Sequence, residues 1–275
     1  MPSAAGLNDA RAFAQSVAGV LDRYSPAPVE WTPGETAVDD RHELSDRLDA
    51  VGWNIVTQDR DLGACAGLGA LELGRRLAAV RHVDRLLGGA PAAGDLVRSL
   101  GAERVAVGRE HGAILRRRVA RSEAVASSEG LEVDRVRELG EALDECDQTV
   151  VDIWMAASIG YLAGLGEGAL ELTVGYVRGR RAFGSTLAAL PPVQQRLADA
   201  ATAVRGVRLL AVENPGVDAL AHAGPAVAEA CAACHQVTGA IGFTLEYPLH
   251  RYTQRARGLA TWNDALIDRL ISPGG

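Results

Sequence analysis

Residues 150–180 read VVDIWMAASIGYLAGLGEGALELTVGYVRGR, an apolar run without proline that is long enough for one helix of about 45 Å at 1.5 Å per residue. Gly160, Gly164 and Gly168 recur every four residues along one face of it. A glycine inside a helix costs roughly 1 kcal/mol relative to alanine, so three in register predict that another helix packs closely there. Downstream, apolar residues at helical spacing predict two further long helices, over residues 193–210 and 217–239. The C-terminal half is therefore expected to be a helical bundle.

Upstream the texture is more varied. Helical spacing over residues 44–51 breaks at Gly52-Trp53. Residues 63–69 read as a Gly-rich turn, and 70–87, with Leu71, Leu77 and Leu86, as a helix closed by Gly88-Gly89. A short helical turn is expected over 95–100. Between 102 and 133 come short β-prone pieces, 104–107 and 113–115, separated by Gly108, Gly112 and Gly130. They predict a small sheet or hairpin insert, in which Arg116-Arg117-Arg118 is a solvated edge. The helical pattern returns from Leu139. This gives a mainly α fold: a helical domain over residues 1–101, a reduced β segment over 102–135 and a helical bundle over 136–275.

Composition narrows function by exclusion. All 28 basic residues are arginine, which removes Schiff-base chemistry, the phosphate-loop lysine and the kinase lysine. A net charge of -7 and a pI near 5.4 leave no footprint for a phosphate backbone, so nucleic acid is not an expected partner. No stretch reaches about 18 uninterrupted apolar residues, and residues 1–7 lack the basic and apolar regions of a signal peptide. A soluble, cytoplasmic protein without membrane contact is expected, with Cys65, Cys146, Cys231 and Cys234 reduced. Cys231-Ala-Ala-Cys234-His235 has the spacing of covalent haem attachment, but it sits in an Ala-rich helix where cysteines act as small hydrophobes. No second cysteine pair or paired histidines complete a zinc site, and no G-x-G-x-x-G follows a strand.

Two stretches carry identity. The first is Tyr176-Val-Arg178-Gly-Arg180-Arg181-Ala-Phe183-Gly184, followed by Val193-Gln194-Gln195-Arg196-Leu197-Ala198-Asp199. The second is Gln236-Val-Thr-Gly239-Ala-Ile-Gly242-Phe243-Thr-Leu-Glu246-Tyr-Pro248-Leu-His250-Arg251. They resemble the Arg-x-x-Phe-Gly, Leu-Ala-Asp and Gln-x-x-Gly-Gly-x-Gly-Phe segments of the acyl-CoA dehydrogenase family. Gly52-Trp53, Leu62-Gly63 and Glu72-Leu73-Gly74-Arg75 resemble its amino-terminal helical domain, and the three matches keep the family's order.

The resemblance implies FAD as cofactor, with Arg180, Phe183, Gln236 and Gly239 reaching its pyrophosphate and adenosine side across a subunit boundary. A guanidinium fork pairs with phosphate oxygens, and glycine lets backbone N–H groups approach them. Read by themselves, Arg180 caps a helix C-terminus and Gln236 is an ordinary helix-end residue. Two positions depart from the family: Ala240 stands for the second glycine, and Pro191 for a cofactor-side glutamine. The family's base, a carboxylate, is placed by ungapped counting near Trp154 or near Asn263, neither of which can take a proton. Asp152 and Asp264 are the neighbouring candidates, while Glu246 stands at a structural position. No metal is expected.

Relatives carry a larger β domain, so the resemblance implies a heterotetramer in which a longer acyl-CoA dehydrogenase subunit supplies base and β domain. This chain would then contribute the distal half of the FAD site. Gly242-Phe243-Thr244-x-Glu246 is similar to two-subunit bacterial steroid-degrading enzymes, which implies desaturation of a bulky, steroid-derived or alicyclic acyl-CoA. Two alternatives stay open: a flavin-free relative with an assembly or non-redox biosynthetic role, and an autonomous dehydrogenase using Asp264 or Asp152.

Overall fold

The computed structural model describes residues 3–24, 42–98, 100, 104–128, 131–182 and 184–271. Helices α1 (Ala4–Tyr24), α2 (His42–Ala50), α3 (Gly63–Arg75) and the short α4 (Arg81–Asp84) come first. Five strands follow: β1 (Ala90–Ala93), β2 (Leu96–Arg98), β3 (Val105–Glu110), β4 (Ala113–Ser128) and β5 (Leu131–Glu145). They close into a small barrel of order β1-β2-β5-β4-β3, in which only the β1–β3 pair is parallel. The chain ends in α5 (Gln148–Gly179), the two-residue strands β6 (Arg181–Ala182) and β7 (Ser185–Thr186), then α6 (Pro191–Glu213), α7 (Val217–Thr238) and α8 (Leu249–Leu266).

The fold is mainly α, and α5 to α8 form a four-helix bundle in which α5 contacts each of the others. Asp147 starts α5, its side chain accepting from the Thr149 N–H at 2.6 Å. The helix is long and apolar enough to cross a membrane, but 83% of its most apolar window is buried. Its apolarity serves the core.

The glycine register does what its spacing predicts. A Cβ on Gly160 would run into the Gly67 carbonyl, and one on Gly164 into the Leu71 carbonyl and, at 2.7 Å, the Arg75 nitrogen. One on Gly74 would strike the Tyr161 carbonyl. The backbones of α3 and α5 therefore touch. That contact also corrects the reading of 63–69 as a turn: Gly63, Gly67 and Gly69 lie inside α3, Gly67 being there for contact with Ala211 and Gly160.

Several expected boundaries move. Residues 70–87 do not form one helix; α3 stops at Arg75, Leu77 takes a φ of 55°, and α4 and a 3-10 turn follow before Gly88. The expected helical turn at 95–100 contains strand β2, and the strands run from Ala90 to Glu145, past the expected limits 102–135 on both sides. Leu139 lies in β5, where the helical pattern was expected to resume. Cross-strand ion pairs explain how helix-forming residues there accept a strand: Arg116–Asp144 at 2.6 Å, Arg137–Glu123 at 2.7 Å and Arg118–Glu141 at 3.7 Å. Between β3 and β4, His111 and Gly112 have φ of 50° and 88°, the two left-handed residues that a tight hairpin turn requires.

The α3–α5 contact makes opposite forecasts for two glycines of one helix. Gly164→Ala is expected to destabilise the protein by about 1–3 kcal/mol through overpacking. Gly175, exposed and with nothing within 4 Å of a built Cβ, should gain roughly 0.5–1 kcal/mol as alanine. Urea unfolding of both variants checks the pair, and equal effects would contradict the packing described.

Candidate functional site

Four helix ends meet at one end of the bundle. Arg196, near the start of α6, donates to Gln236 Oε1 in the last turn of α7. Tyr247, just before α8, donates to the Leu172 carbonyl of α5 at 2.8 Å, and its ring lies 5.8 Å from that of Tyr176. Arg180 ends α5 with its N–H on the Tyr176 carbonyl at 2.9 Å. Arg180, Gln236 and Gly239 thus share this end, all exposed. Gly239 has a φ of 70° and open space where a side chain would stand. Phe183 lies outside the described residues.

Two guanidinium groups, Arg180 and Arg196, and an accessible backbone at Gly239 are donors of the kind that phosphate oxygens accept from. Phe243, 70% exposed and stacked at 4.6 Å on His235, adds an aromatic face nearby. The two departures have local roles. Pro191 is the first residue of α6, where its fixed φ and missing N–H are tolerated. Ala240 belongs to the 3-10 turn Gly239–Phe243.

The residues near which the family's base would be counted, Trp154 and Asn263, lie in the interior. Trp154 of α5 and Asn263 of α8 are both buried, at 0% and 3% exposure. Between α5 and α8 stands Arg98 from β2, 1% exposed, its guanidinium carbon 5.9 Å from the Trp154 ring and 5.8 Å from the Trp262 ring. Arg98 Nε lies 3.5 Å from Asp84 Oδ2, and Trp154 Nε1 donates to Asp84 Oδ1 at 3.3 Å. Burial pushes the Asp84 carboxyl above its ordinary value, opposed by Arg98 and Trp154. A second buried arginine closes the layer beneath: Arg255 donates to the Leu77 and Ala78 carbonyls at 2.7 and 2.9 Å and to the Tyr161 hydroxyl at 2.9 Å. None of Asp84, Arg98 or Arg255 carried a sequence signal; each is an ordinary charged residue until the fold buries it.

The neighbouring candidates Asp152 and Asp264 are not drawn into this cluster. Asp152 accepts from Gln148 at 3.0 Å and faces Arg60 at 3.8 Å. Asp264 is exposed on α8, and Glu246 is exposed as well. Among the described residues no group of three or more His, Cys, Asp or Glu side chains could hold a metal ion. A groove of about 980 Å³ between α6 and α7 has Arg196 at one end, and a cavity of about 660 Å³ occupies the barrel mouth. Neither is lined by Arg180, Trp154 or Asn263.

His235 makes this end of the bundle sensitive to pH. Its Nε2 lies 2.7 Å from Thr253 Oγ1. Burial first, then the charges of Arg257 and His250, hold its pKa below the ordinary 6.5. The unfolded chain therefore takes up this proton first on acidification. The neutral imidazole's contribution is fully present above about pH 6.5 and is lost as pH falls from there through the folded-state value. Urea midpoints measured from about pH 8 to about pH 5 should fall across that window, and less so in His235→Gln; an identical fall in both proteins would contradict the assignment.

The family described as "Acyl-CoA dehydrogenase, C-terminal domain" matches residues 154–214. The chain is 35% identical over 125 residues to the mitochondrial short-chain specific acyl-CoA dehydrogenase of Sus scrofa, covering 40% of this chain and 30% of that one. It is 31% identical over 139 residues to acyl-CoA dehydrogenase FadE28 of Mycobacterium tuberculosis, covering 44% and 41%. The matches thus span well under half of these curated relatives. In three dimensions it resembles the Tcur3481-Tcur3483 steroid ACAD G363A variant (TM-score 0.70, 15% identity, 93% of this chain and 95% of that one). It also resembles the ChsE4-ChsE5 complex from Mycobacterium tuberculosis (TM-score 0.67, 18% identity, 93% of each chain). Residues 154–214 are thus similar in sequence to the acyl-CoA dehydrogenase C-terminal domain, within a chain that has the acyl-CoA dehydrogenase fold.

Proposed function

We propose that this chain is a base-deficient subunit of a heteromeric, FAD-dependent acyl-CoA dehydrogenase, contributing the distal half of the FAD site to a longer partner. One observation carries the reading. Counted along the sequence without gaps, the family's base would fall near Trp154 or near Asn263, and both are buried side chains that cannot take a proton. Asp84, which reaches Trp154, has one oxygen facing Arg98 and the other accepting from Trp154.

The reaction is α,β-desaturation of an acyl thioester. It needs a carboxylate free to remove the α-proton, and FAD, when bound, accepts the β-hydrogen as hydride. In this chain Arg180 and Arg196 would pair with the pyrophosphate, while Gln236 and the Gly239 backbone would hold the adenosine side. The carboxylate would come from the partner. The two structural neighbours named as two-component complexes, one of them a steroid enzyme, support a heterotetramer and a bulky, steroid-derived acyl-CoA. A cytoplasmic location fits this chemistry.

A second reading has its own support. Gln236 is engaged by Arg196, and Ala240 and Pro191 weaken the cofactor side, which suits a flavin-free protein with an assembly or biosynthetic role.

Co-expression with a longer subunit of the same fold decides between them. The pair is expected to co-purify yellow. Arg180→Ala should lower FAD affinity by roughly tenfold or more, the loss of a charged hydrogen bond of about 1.5–3 kcal/mol. Asp152→Asn and Asp264→Asn should leave the rate of substrate bleaching unchanged. A colourless pair, or no pair at all, would sink the proposal, as would bleaching that depends on Asp84, Asp152 or Asp264 of this chain.

A further inference from the structure

The small barrel is not filled to its end. Inward positions alternate along each strand of a barrel, and in a small one side chains fill the interior. Ala92 of β1, Val97 of β2, Ala106 of β3 and Val119 of β4 pack together there, all buried. The next inward position of β3 is Gly108, which has no side chain to add; a Cβ on it would meet the Ala92 methyl at an unstrained 3.5 Å. Leu115 stands across from Gly108, half-buried, and Leu139 across from Val119, 48% exposed. What remains is the mouth cavity of about 660 Å³, inside the range of about 300–1,000 Å³ that small-molecule sites occupy. Its floor of alanine and valine and its two leucines offer an apolar lining to whatever enters.

Positive charge stands beside that lining. The Arg269 guanidinium, from the helical turn Ile267–Ile271 after α8, folds back over the β1–β2 turn, so close to Gly94 that a Cβ there would collide with it. Arg109 of β3 donates to the Leu270 carbonyl of the same helical turn at 3.3 Å and to the Gly112 carbonyl at 2.8 Å. Both arginines line the cavity, and among the described residues neither makes an ion pair. The other charges of the lining are engaged or solvated. Asp95 faces Arg135 at 3.1 Å, Glu110 faces Arg117 at 3.0 Å and Arg137 faces Glu123 at 2.7 Å, while Glu138 and Asp268 are exposed.

We propose that the barrel mouth is a binding site for a small amphiphilic carboxylic acid, its apolar tail on the floor at Ala92, Ala106 and Gly108 and its carboxylate on Arg109 and Arg269. A guanidinium fork matches a carboxylate, and charge-assisted hydrogen bonds are about twice as strong as neutral ones. Arg109 is already held by two carbonyls, so little side-chain freedom is lost when it pairs with an anion. An alcohol of equal length has the tail without the charge, and a thioester is uncharged at the same atom; the site therefore selects the free acid. No residue of the helix-end cluster around Arg180 takes part, and the site stands apart from the reading above.

The experiment is calorimetric titration of the purified full chain with sodium octanoate, and with octanol as the neutral comparison. One octanoate per chain is expected to bind saturably, and octanol about tenfold or more weakly. Arg269→Gln, at an exposed side chain, should lower octanoate affinity by about tenfold and leave octanol unchanged. Arg118→Gln, at an exposed barrel arginine outside the cavity, should change neither. Gly108→Leu puts a side chain into the floor and should abolish binding of both, with the urea midpoint kept or raised. Absence of saturable octanoate binding overturns the site, as does octanol binding equally well, or octanoate binding that Arg269→Gln leaves intact. Should Gly108→Leu fail to fold, the Arg269→Gln and octanol comparisons still decide. Flavin plays no part in this titration, so its failure leaves the proposed function standing, and a colourless pair leaves this site standing.

Discussion

The approach of α3 to α5 sets the geometry of everything else. Gly160 and Gly164 stand against the Gly67 and Leu71 carbonyls and Gly74 against the Tyr161 carbonyl, a separation that a side chain at Gly74, Gly160 or Gly164 would prevent. Because the helices are that close, Tyr161 can hydrogen-bond the Ala78 carbonyl beyond the end of α3, and Tyr252 of α8 can reach the Arg75 carbonyl at 2.8 Å. Helices α1 to α4 and the C-terminal bundle are thereby one core, with Leu71, Leu73, Ile159 and Leu162 among its buried members. A cost of about 1 kcal/mol per helical glycine is offset by this dense contact.

Charge inside the core follows from the same closeness. Arg255 gathers the Leu77 and Ala78 carbonyls, which the left-handed φ of Leu77 turns away from any helix partner. Arg98 brings the barrel into register with the helices through Asp84 and two tryptophans. Each is a guanidinium whose planar fork allows several contacts at once, which suits arginine to burial better than lysine. A chain whose 28 basic residues are all arginine has used that property in the interior as well as on the barrel surface, where Arg116 and Arg137 pair across strands.

The helices were legible because their apolar periodicity and their glycine spacing both report on local contact. The bounds of α5, α6 and α7 fall within a few residues of those read from spacing. The strands were legible only where short β-prone runs met glycine. Residues 131–145, LEVDRVRELGEALDE, carry the composition of a helix, and nothing within them states that their acids face the arginines of β4. Likewise Ala90–Ala93 is buried throughout as a strand, though alanine favours helix when neighbours do not decide.

By itself the sequence determined the family resemblance, the helical bundle and the absence of a carboxylate at residues 154 and 263, because these depend on residue identity and short-range spacing. It also named Arg180, Gln236 and Gly239, which tertiary structure then gathered at one end of the bundle. Only the tertiary structure decided where the strands begin and end, and that Asp84, Arg98, Trp154 and Trp262 meet in the interior. Strand pairing and the burial of a charge are both settled by partners distant in the chain, and no local pattern records them.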